Sequence, residues 1–347
     1  MPACLPAFLP SFLPSFLSSM ALFNLSINSP HMNKTITKAM QVFMKRSPAT
    51  IAVETSIFLL IGLIAIGGNL LVVISISRNR SLRTITNYFV LSLAATDVLH
   101  PAVGLPPSLI WSIMSRFTFE QSVCTFQAVC TLALSYVSIC MIVLMAINRF
   151  VRVCKPQKYK KVFNKITSLV MISFVWVVSF ILVTLSIANG ESFALARFVP
   201  TQARCGIVYD TRNTFAKTVG ITLNVILVFL PIGIIVYCYF KVFKKIREHK
   251  RNIAPASNPN NLGTSVREIK VTWTMFAVLI GFCLTWIPAI IIFISSNICE
   301  FFKCKVPRQA NMVIPFAALF SSAINPVIYG AMNTAFRREY KNILRCI

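Results

Sequence analysis

The chain has 347 residues, of which 56% are hydrophobic and 12% are charged, and its formal net charge is +25. Soluble globular proteins carry about 25% charged residues, so this composition excludes a large soluble domain and indicates segments buried in a membrane. Nucleic-acid binding is the other explanation of such a basic charge, but the apolar composition favours membrane topology and contact with anionic lipid.

Residues 1–50 form an N-terminal segment that is expected to be disordered and glycosylated. The repeat FLPSFLPSFL at 8–17 lacks the basic start of a signal peptide, and its prolines disfavour a spanning helix. It is either a disordered leader or sequence upstream of a start at Met20. Asn24 and Asn33 begin glycosylation sequons, which are used only on the extracellular side.

Seven apolar runs follow, each long enough to cross a bilayer as a helix of roughly 20 residues. They cover residues 51–77, 87–114, 123–147, 167–189, 215–240, 271–298 and 309–332. Backbone polar groups in lipid need internal hydrogen bonds, so each run is expected to be helical. The predicted fold is therefore an all-α membrane protein, with a seven-transmembrane helix bundle over residues 51–332. No internal repeat supports a transporter built from two halves.

Basic residues are divided unevenly between the connections on the two sides of the membrane. One side holds 22 Lys and Arg residues, whereas the side that includes the N-terminus holds 11. The positive-inside rule makes the first side cytoplasmic and the N-terminus extracellular. The basic stretch 247–265, between the fifth and sixth spans, is expected to be a flexible inner connection.

Cysteines mark the outer surface of this bundle. Cys124 lies 25 residues before Arg149, which as a helix is about 38 Å, nearly the thickness of a bilayer with its headgroups. Cys124 is then on the outer side, where it can form a disulfide with Cys205 of the long second outer connection. Cys299 and Cys304 flank EFFK in the last outer connection, and they either form a second disulfide or remain thiols.

Motifs in every span resemble those of rhodopsin-like (class A) G-protein-coupled receptors, from about residue 50 to about residue 345. They are, in chain order, Gly68-Asn69, LAATD at 93–97, Asn148-Arg149-Phe150 as a variant of Asp-Arg-Tyr, Trp176, Pro231 with Tyr239, TWIP at 285–288 and NPVIY at 325–329. The resemblance implies a multi-pass receptor of the plasma membrane, with an extracellular ligand and with heterotrimeric G protein and arrestin as partners. An enzyme is not expected, because His31, His100 and His249 lie far apart in the predicted topology.

Asp97 is the one acidic residue deep inside a span, and a buried carboxylate in a membrane is functional by default. The resemblance implies that it binds an allosteric sodium ion. Neutral oxygens at the matching positions suit a hard cation, and they belong to Asn69, Ser138, Ser321, Ser322 and Asn325. The alternative is a protonated Asp97 in a structural hydrogen-bond network.

The resemblance also implies an activation switch. Arg149 is expected to pair with Glu268, at the inner end of the sixth helix, in the inactive state and to turn toward Tyr239 and the G protein on activation. Asn148 replaces the usual Asp, so a less restrained and leakier receptor is expected. The remaining switch residues are Ile139, Pro231, Phe282, Pro326 and Tyr329, for which simple packing is the alternative.

Residues 333–347 close the chain. NTAFRREYKNILRC alternates apolar and basic residues at helical spacing, which predicts a short amphipathic eighth helix on the inner membrane face, in contact with lipid. Cys346 is either palmitoylated or, next to the last residue of the chain, left unmodified.

The expected ligand pocket is apolar and aromatic, with neutral hydrogen-bonding groups. Its predicted residues are Gln127, Thr131, Ser135, Asn224, Trp286, Ala289, Ile290, Phe293 and Asn311. Thr131 stands where amine receptors carry Asp, and the seventh span has no Lys for a retinal Schiff base, so no retinal is expected. Asn148 and the neutral pocket are similar to melatonin receptors, although Pro326 and the lack of a fifth-helix histidine differ. An orphan receptor for a neutral small molecule is expected, with a peptide receptor or a non-retinal opsin relative as alternatives.

Overall fold

The computed structural model describes residues 32–188, 190, 193–209, 213–252, 259–301 and 306–345. Its main elements are seven long helices: Pro48–Arg78, Ile85–Met114, Gln121–Cys154, Lys165–Ala188, Thr214–Asn252, Pro259–Phe301, and Arg308–Asn311 continued by Val313–Met332. Six of them, within the described residues, are long and apolar enough to cross a membrane. The remaining one, Thr214–Asn252, contains the predicted fifth span. The predicted seven-transmembrane bundle is confirmed, and we number its helices first to seventh.

Capping residues explain why helices begin slightly before the predicted spans. Ser47 precedes the first helix, and its hydroxyl accepts a hydrogen bond from the Thr50 N–H at 3.2 Å. Pro48 follows at the first helical position, where its missing N–H has no cost. Thr84 caps the second helix in the same way, by accepting from the Asn87 N–H at 3.3 Å. Caps are set by local polar residues, which a search for apolar runs passes over.

The fifth and sixth helices extend well beyond the apolar runs. They reach Asn252 and start at Pro259, so the predicted flexible connection 247–265 is largely helical. Residues 234–254 contain no glycine or proline, and Lys and Arg are good helix formers. The fifth helix therefore continues past the hydrophobic boundary to Asn252. Two short elements complete this side of the bundle, the 3-10 turn Arg80–Leu82 and the helix Pro156–Val162.

A β-hairpin covers one end of the bundle, which we call the hairpin end. Strand β1 (Ala194–Val199) pairs antiparallel with strand β2 (Arg204–Tyr209), and Phe198 is opposite Cys205. The predicted disulfide between Cys124 and Cys205 is present, with a Cα–Cα distance of 5.3 Å. It ties the hairpin to the start of the third helix. We call the opposite end, which carries Arg149, the Arg149 end.

A helix at Met32–Met44 lies within the segment that was expected to be disordered, so that expectation is wrong there. Its last turn packs onto the hairpin end. Phe43 is fully buried, and the centroid of its ring lies 5.4 Å from that of Phe198. Trp111 belongs to the same apolar cluster. The helix was missed because a single short apolar face carries little weight beside the long spans.

Three charged residues fasten this N-terminal helix to the bundle, and we call them the Arg-Glu-Arg cluster. Arg46 donates to Glu54 Oε2 at 2.7 Å and to the Ser112 carbonyl at 2.6 Å. Arg308 binds the same carboxylate through two nitrogens, one of them at 2.8 Å from Oε2. The side chains of both arginines are 6% exposed or less. Burial lowers the pKa of Arg46, and its hydrogen bond to Glu54 opposes that shift. The cluster joins the N-terminal helix to the first, second and seventh helices.

The predicted eighth helix is present at Thr334–Leu344 and packs against the seventh helix. Phe336 is fully buried and stacks on Tyr329 at 5.5 Å between ring centroids. The Tyr340 hydroxyl donates to the Pro326 carbonyl at 3.3 Å. Among the modification predictions, Asn24 and Cys346 lie outside the described residues, as does the side chain of Asn33. Cys299 is disulfide-bonded, but Cys304 lies outside the described residues, so their pairing stays a prediction.

Candidate functional site

Asp97 joins the second helix to the seventh in the middle of the bundle. Its carboxylate accepts hydrogen bonds from Ser322 Oγ at 2.9 Å and from Asn325 Nδ2 at 2.7 Å. Asn69 Nδ2 donates to the Ser322 carbonyl at 2.8 Å, which brings in the first helix. Only 4% of Asp97 is exposed, so this carboxylate is held by oriented donors away from solvent. Three helices thus meet at one acidic group.

Gly68 allows this close approach of the first and seventh helices. A Cβ atom at this position would lie 2.9 Å from Pro326 Cγ, closer than real Cβ contacts come. A side chain here would therefore push the seventh helix away, together with Ser322 and Asn325. Gly68 of the first-helix motif thus packs directly against Pro326 of the NPVIY motif.

A small cavity of about 20 Å³ lies beside Asp97. A void of about 10–15 Å³ or more can hold one water-sized particle, so this space suits a single water or ion. The lining residues are Leu93, Asp97, His100, Ser135, Ser138, Ile142, Phe282, Trp286, Ala318, Ser321, Ser322 and Asn325. Five of the six predicted sodium ligands are among them. Asn69 is the exception, because it does not line the cavity but donates to the Ser322 carbonyl and so positions Ser322.

Hydrogen counting shows that oxygen lone pairs remain available in this cavity. The Thr96 hydroxyl donates its one hydrogen to the Leu93 carbonyl at 2.7 Å. Ser138 Oγ, 2.8 Å from Thr96 Oγ1, must therefore be the donor of that contact. Ser322 Oγ and Asn325 Nδ2 likewise donate hydrogen bonds to the Asp97 carboxylate. The oxygens of these residues can still accept, which is the chemistry that a cation requires.

Most of the predicted polar ligand contacts bind other parts of the protein. Gln127 is 1% exposed and donates to the Gly104 carbonyl at 2.7 Å and to Ser108 Oγ at 2.9 Å. Its Oε1 accepts from the Cys205 N–H at 2.8 Å. Gln127 therefore anchors the hairpin, and its predicted contact with a ligand stays a prediction. A long polar side chain in a span looks like a ligand contact when the hairpin position is unknown.

Two predicted pocket hydroxyls bind the backbone of their own helix. The Thr131 hydroxyl donates to the Gln127 carbonyl at 2.7 Å, and the Ser135 hydroxyl donates to the Thr131 carbonyl at 2.8 Å. Both hydroxyls can still accept a hydrogen bond but cannot donate another.

Asn311 links the sixth and seventh helices, because its Oδ1 accepts from Ser296 Oγ at 3.0 Å. Trp286 stacks on Phe282 with 5.6 Å between ring centroids.

The other predicted pocket residues are spread out. Ala289 is buried and Ile290 half-buried, whereas Phe293 is 47% exposed near the hairpin end of the sixth helix. The side chain of Asn224 lies outside the described part of the chain. Of the predicted pocket residues, the structure brings Ser135 and Trp286 together in one cavity.

Arg149 lies in a buried network at the other end of the bundle. It donates to Thr86 Oγ1, and the Thr86 hydroxyl donates to Asn148 Oδ1 at 3.1 Å. Asn148 Nδ2 in turn donates to the Tyr159 hydroxyl at 3.3 Å. Tyr159 belongs to the stretch RVCKPQKYKK at 152–161, which resembles the second inner connection of the receptor family. Thr86 was not predicted, because it carries no charge and belongs to no motif. The side chain of Glu268 lies outside the described residues, so its pairing with Arg149 stays a prediction.

An aromatic cluster joins the fifth and sixth helices near the Arg149 end. Ring centroids lie 5.3 Å apart for Tyr239 and Phe276, 4.8 Å for Phe243 and Phe276, and 5.0 Å for Phe243 and Trp273. Toward the middle of the bundle, Ile139 is 7% exposed, and Pro231 and Phe282 are half-buried. Their role as a switch stays a prediction, while the aromatic cluster is a contact that the sequence did not reveal.

Comparison with known proteins agrees with this arrangement. The family described as "7 transmembrane receptor (rhodopsin family)" matches residues 68–329. The octopamine receptor beta-2R of Chilo suppressalis is 26% identical over 321 residues, which cover 84% of this chain and 80% of the receptor. The histamine H2 receptor of Cavia porcellus is 27% identical, with 84% and 79% covered. The melatonin receptor type 1A of Gallus gallus is 28% identical, with 86% and 82% covered.

The structure also resembles a solved one. The crystal structure of squid rhodopsin superposes with a TM-score of 0.77, covering 93% of this chain and 91% of the squid chain. The two sequences are 20% identical, so this likeness concerns the fold alone.

Proposed function

Because this chain belongs to the rhodopsin family of seven-transmembrane receptors, we propose that it is a G-protein-coupled receptor of the plasma membrane. A small-molecule ligand binds toward the hairpin end, which is extracellular, and a heterotrimeric G protein, followed by arrestin, binds at the Arg149 end. The observation that carries this proposal is the family match over 68–329, which includes Asp97, Arg149 and the NPVIY motif. The distribution of basic residues supports the orientation.

The ligand is a neutral or weakly acidic small molecule. The relatives are named for octopamine, histamine and melatonin, of which the first two are amines. Here Thr131 offers no charge, and Glu54 already binds two arginines. A protonated amine at Thr131 would be desolvated without a counter-ion, at a cost of several kcal/mol. The hairpin and the N-terminal helix cover the end of the bundle, which argues against the alternative of a peptide ligand.

Ligand class can be tested in cells that express the receptor with a panel of chimeric G proteins. Octopamine, histamine and melatonin are the first probes, followed by a small-molecule and peptide library. We expect activation by neutral aromatic or lipid-like compounds, and Thr131→Ala should weaken agonist potency about tenfold at unchanged surface expression, the loss of one good hydrogen bond.

Thr125→Ala is the matched control, because Thr125 makes the same contact with its own helix, 2.9 Å to the Gln121 carbonyl. Potent activation by octopamine or histamine that is insensitive to changes at Thr131 and Phe293 would contradict the proposed ligand class. Activation of no G protein by any compound, at normal surface expression, would count against the receptor function itself.

Sodium is the ion that we infer for the Asp97 cavity, on the strength of its carboxylate and its accepting hydroxyls. We expect agonist affinity to fall when sodium replaces a larger monovalent cation at constant ionic strength. Asp97→Asn should abolish that dependence, since a neutral amide cannot balance the ion's charge. Ser168→Ala, which alters a buried hydroxyl of the fourth helix outside the cavity lining, is the control. An agonist affinity that is indifferent to sodium in the unmodified receptor would leave Asp97 as a network residue only.

Glu268 is inferred to hold Arg149 in the inactive state. Glu268→Ala should raise ligand-independent G-protein activation by a few-fold, the effect of losing an ion pair worth about 1 kcal/mol. Glu248→Ala is the matched control, since Glu248 is 49% exposed and pairs with Lys245 at 3.9 Å. Equal basal signalling in both variants and in the unmodified receptor, at matched surface expression, would remove Glu268 from the mechanism.

A further inference from the structure

His100 is the one nitrogen-bearing side chain that shares the small cavity with the Asp97 carboxylate and is able to bind a metal. It follows Asp97 by three residues, so both side chains lie on the same face of the second helix. Its Nδ1 is buried and has no hydrogen-bond partner in the described part of the chain. A buried polar atom without a partner is unusual and calls for a ligand or an ordered water.

The combination of a carboxylate and an imidazole changes which cation fits. Sodium, magnesium and calcium prefer oxygen ligands, whereas a neutral imidazole nitrogen suits zinc, copper and nickel. The spacing Asp-x-x-His is also a spacing at which two side chains of one helix can reach the same metal. We propose that this cavity binds a zinc-type transition-metal ion through Asp97 and His100, in competition with sodium.

The surroundings supply the rest of such a site. Ser322 and Asn325 donate to the Asp97 carboxylate and fix its orientation, as second-layer groups do in metal sites. Ser138 donates its hydroxyl hydrogen to Thr96 Oγ1, so the lone pairs of Ser138 Oγ are available to the ion. The Trp286 Nε1–H is buried and, within the described residues, has no partner. It cannot bind a metal, so the ligands that the cavity offers to the ion are Asp97, His100 and Ser138.

Binding can be measured on the purified full-length receptor in detergent, without an agonist or a G protein. Zinc chloride is added to metal-free protein in a potassium buffer, and the midpoint of thermal unfolding is followed. We expect the midpoint to rise with the logarithm of zinc concentration, as for a ligand of the native state. Replacing potassium by sodium should weaken the apparent zinc affinity.

Substitutions at His100 and Asp97 distinguish zinc binding from the sodium effect. His100→Phe should lower zinc affinity about tenfold or more while the sodium effect persists, and Asp97→Asn should abolish both. His100→Cys, which offers a thiolate, should recover zinc binding. A receptor with both His31→Phe and His249→Phe controls for zinc bound elsewhere, and it should behave like the unmodified protein.

Cobalt(II) gives a second readout, because its visible absorption strengthens when the ion leaves octahedral hydration for a site with fewer ligands. The spectrum should appear with the unmodified receptor and be lost with His100→Phe. No midpoint shift with zinc in the unmodified receptor, or an equal shift and spectrum in His100→Phe, would overturn the proposal. Either result leaves the proposed receptor function untouched, since no signalling is measured.

Discussion

Replacement of Glu54 by alanine is expected to destabilise the receptor by about 3–5 kcal/mol, which is typical when one partner of a buried ion pair is removed. Glu54 is 8% exposed and is the acidic partner of both Arg46 and Arg308 in the Arg-Glu-Arg cluster. Without it, two like charges remain buried next to each other. The N-terminal helix and the start of the seventh helix should then separate from the first helix.

The measurement is the thermal unfolding of purified protein, together with surface expression in cells. Glu120→Ala is the matched control, because Glu120 is exposed at the same end of the bundle and should change the free energy of unfolding by no more than about 0.5 kcal/mol. The combined variant Arg46→Met, Glu54→Leu, Arg308→Met should recover most of the stability, since apolar residues of similar volume can replace a buried cluster. Equal stability of Glu54→Ala and Glu120→Ala would show that the cluster contributes little.

The second large effect is expected from the disulfide. Cys124→Ser and Cys205→Ser should each abolish most surface expression, because the bond closes a loop between residues 81 positions apart. Loop entropy alone gives roughly 4.5 kcal/mol for such a loop, and removal of a native disulfide typically costs 2–5 kcal/mol. The lower part of that range is expected here, because helices that stay in the membrane after unfolding already restrict the loop.

The two cysteines should act as a unit. The double variant should therefore be no worse than either single one, whereas losses that add would indicate separate roles. Cys140→Ser is the control, since Cys140 is a free thiol in the same third helix. The Gln127 side chain, which accepts from the Cys205 N–H, should keep part of the hairpin in place in the serine variants. Loss of expression in Cys140→Ser as well would point to a general intolerance of this helix.

The bundle was predictable because its signal is local: each span is a long apolar run, and the motif prolines and glycines lie within those runs. Ser322 and Asn325 could be placed at Asp97 only through the family resemblance. The Arg-Glu-Arg cluster could not be predicted, since Arg308 and Glu54 are 254 positions apart and each resembles an ordinary flanking charge.

Gln127 has a role that the sequence did not reveal. Its position in a span suggested a ligand contact, but the hairpin takes up its hydrogen-bonding groups, and hairpin placement depends on packing rather than on local sequence. His100 was considered only as a catalytic residue and dismissed. Its distance of three positions from Asp97 was the available signal, which only a search for shared helix faces would have found.

The contacts of the seventh helix also set an order of events on the ribosome. Glu54, Asn69 and Asp97 bind partners that are translated 225 to 254 residues later. At about 5–20 residues per second, the first two helices wait roughly 11 to 51 s for those partners. Arg46 can pair with Glu54 at once, since it lies eight positions away, and Asn69 can donate to the Ala65 carbonyl of its own helix. The hydrogen bonds from Ser322 and Asn325 to Asp97 must wait for the seventh helix. During that interval the Asp97 carboxyl is the group that a membrane chaperone can recognise, until insertion of the last span covers it.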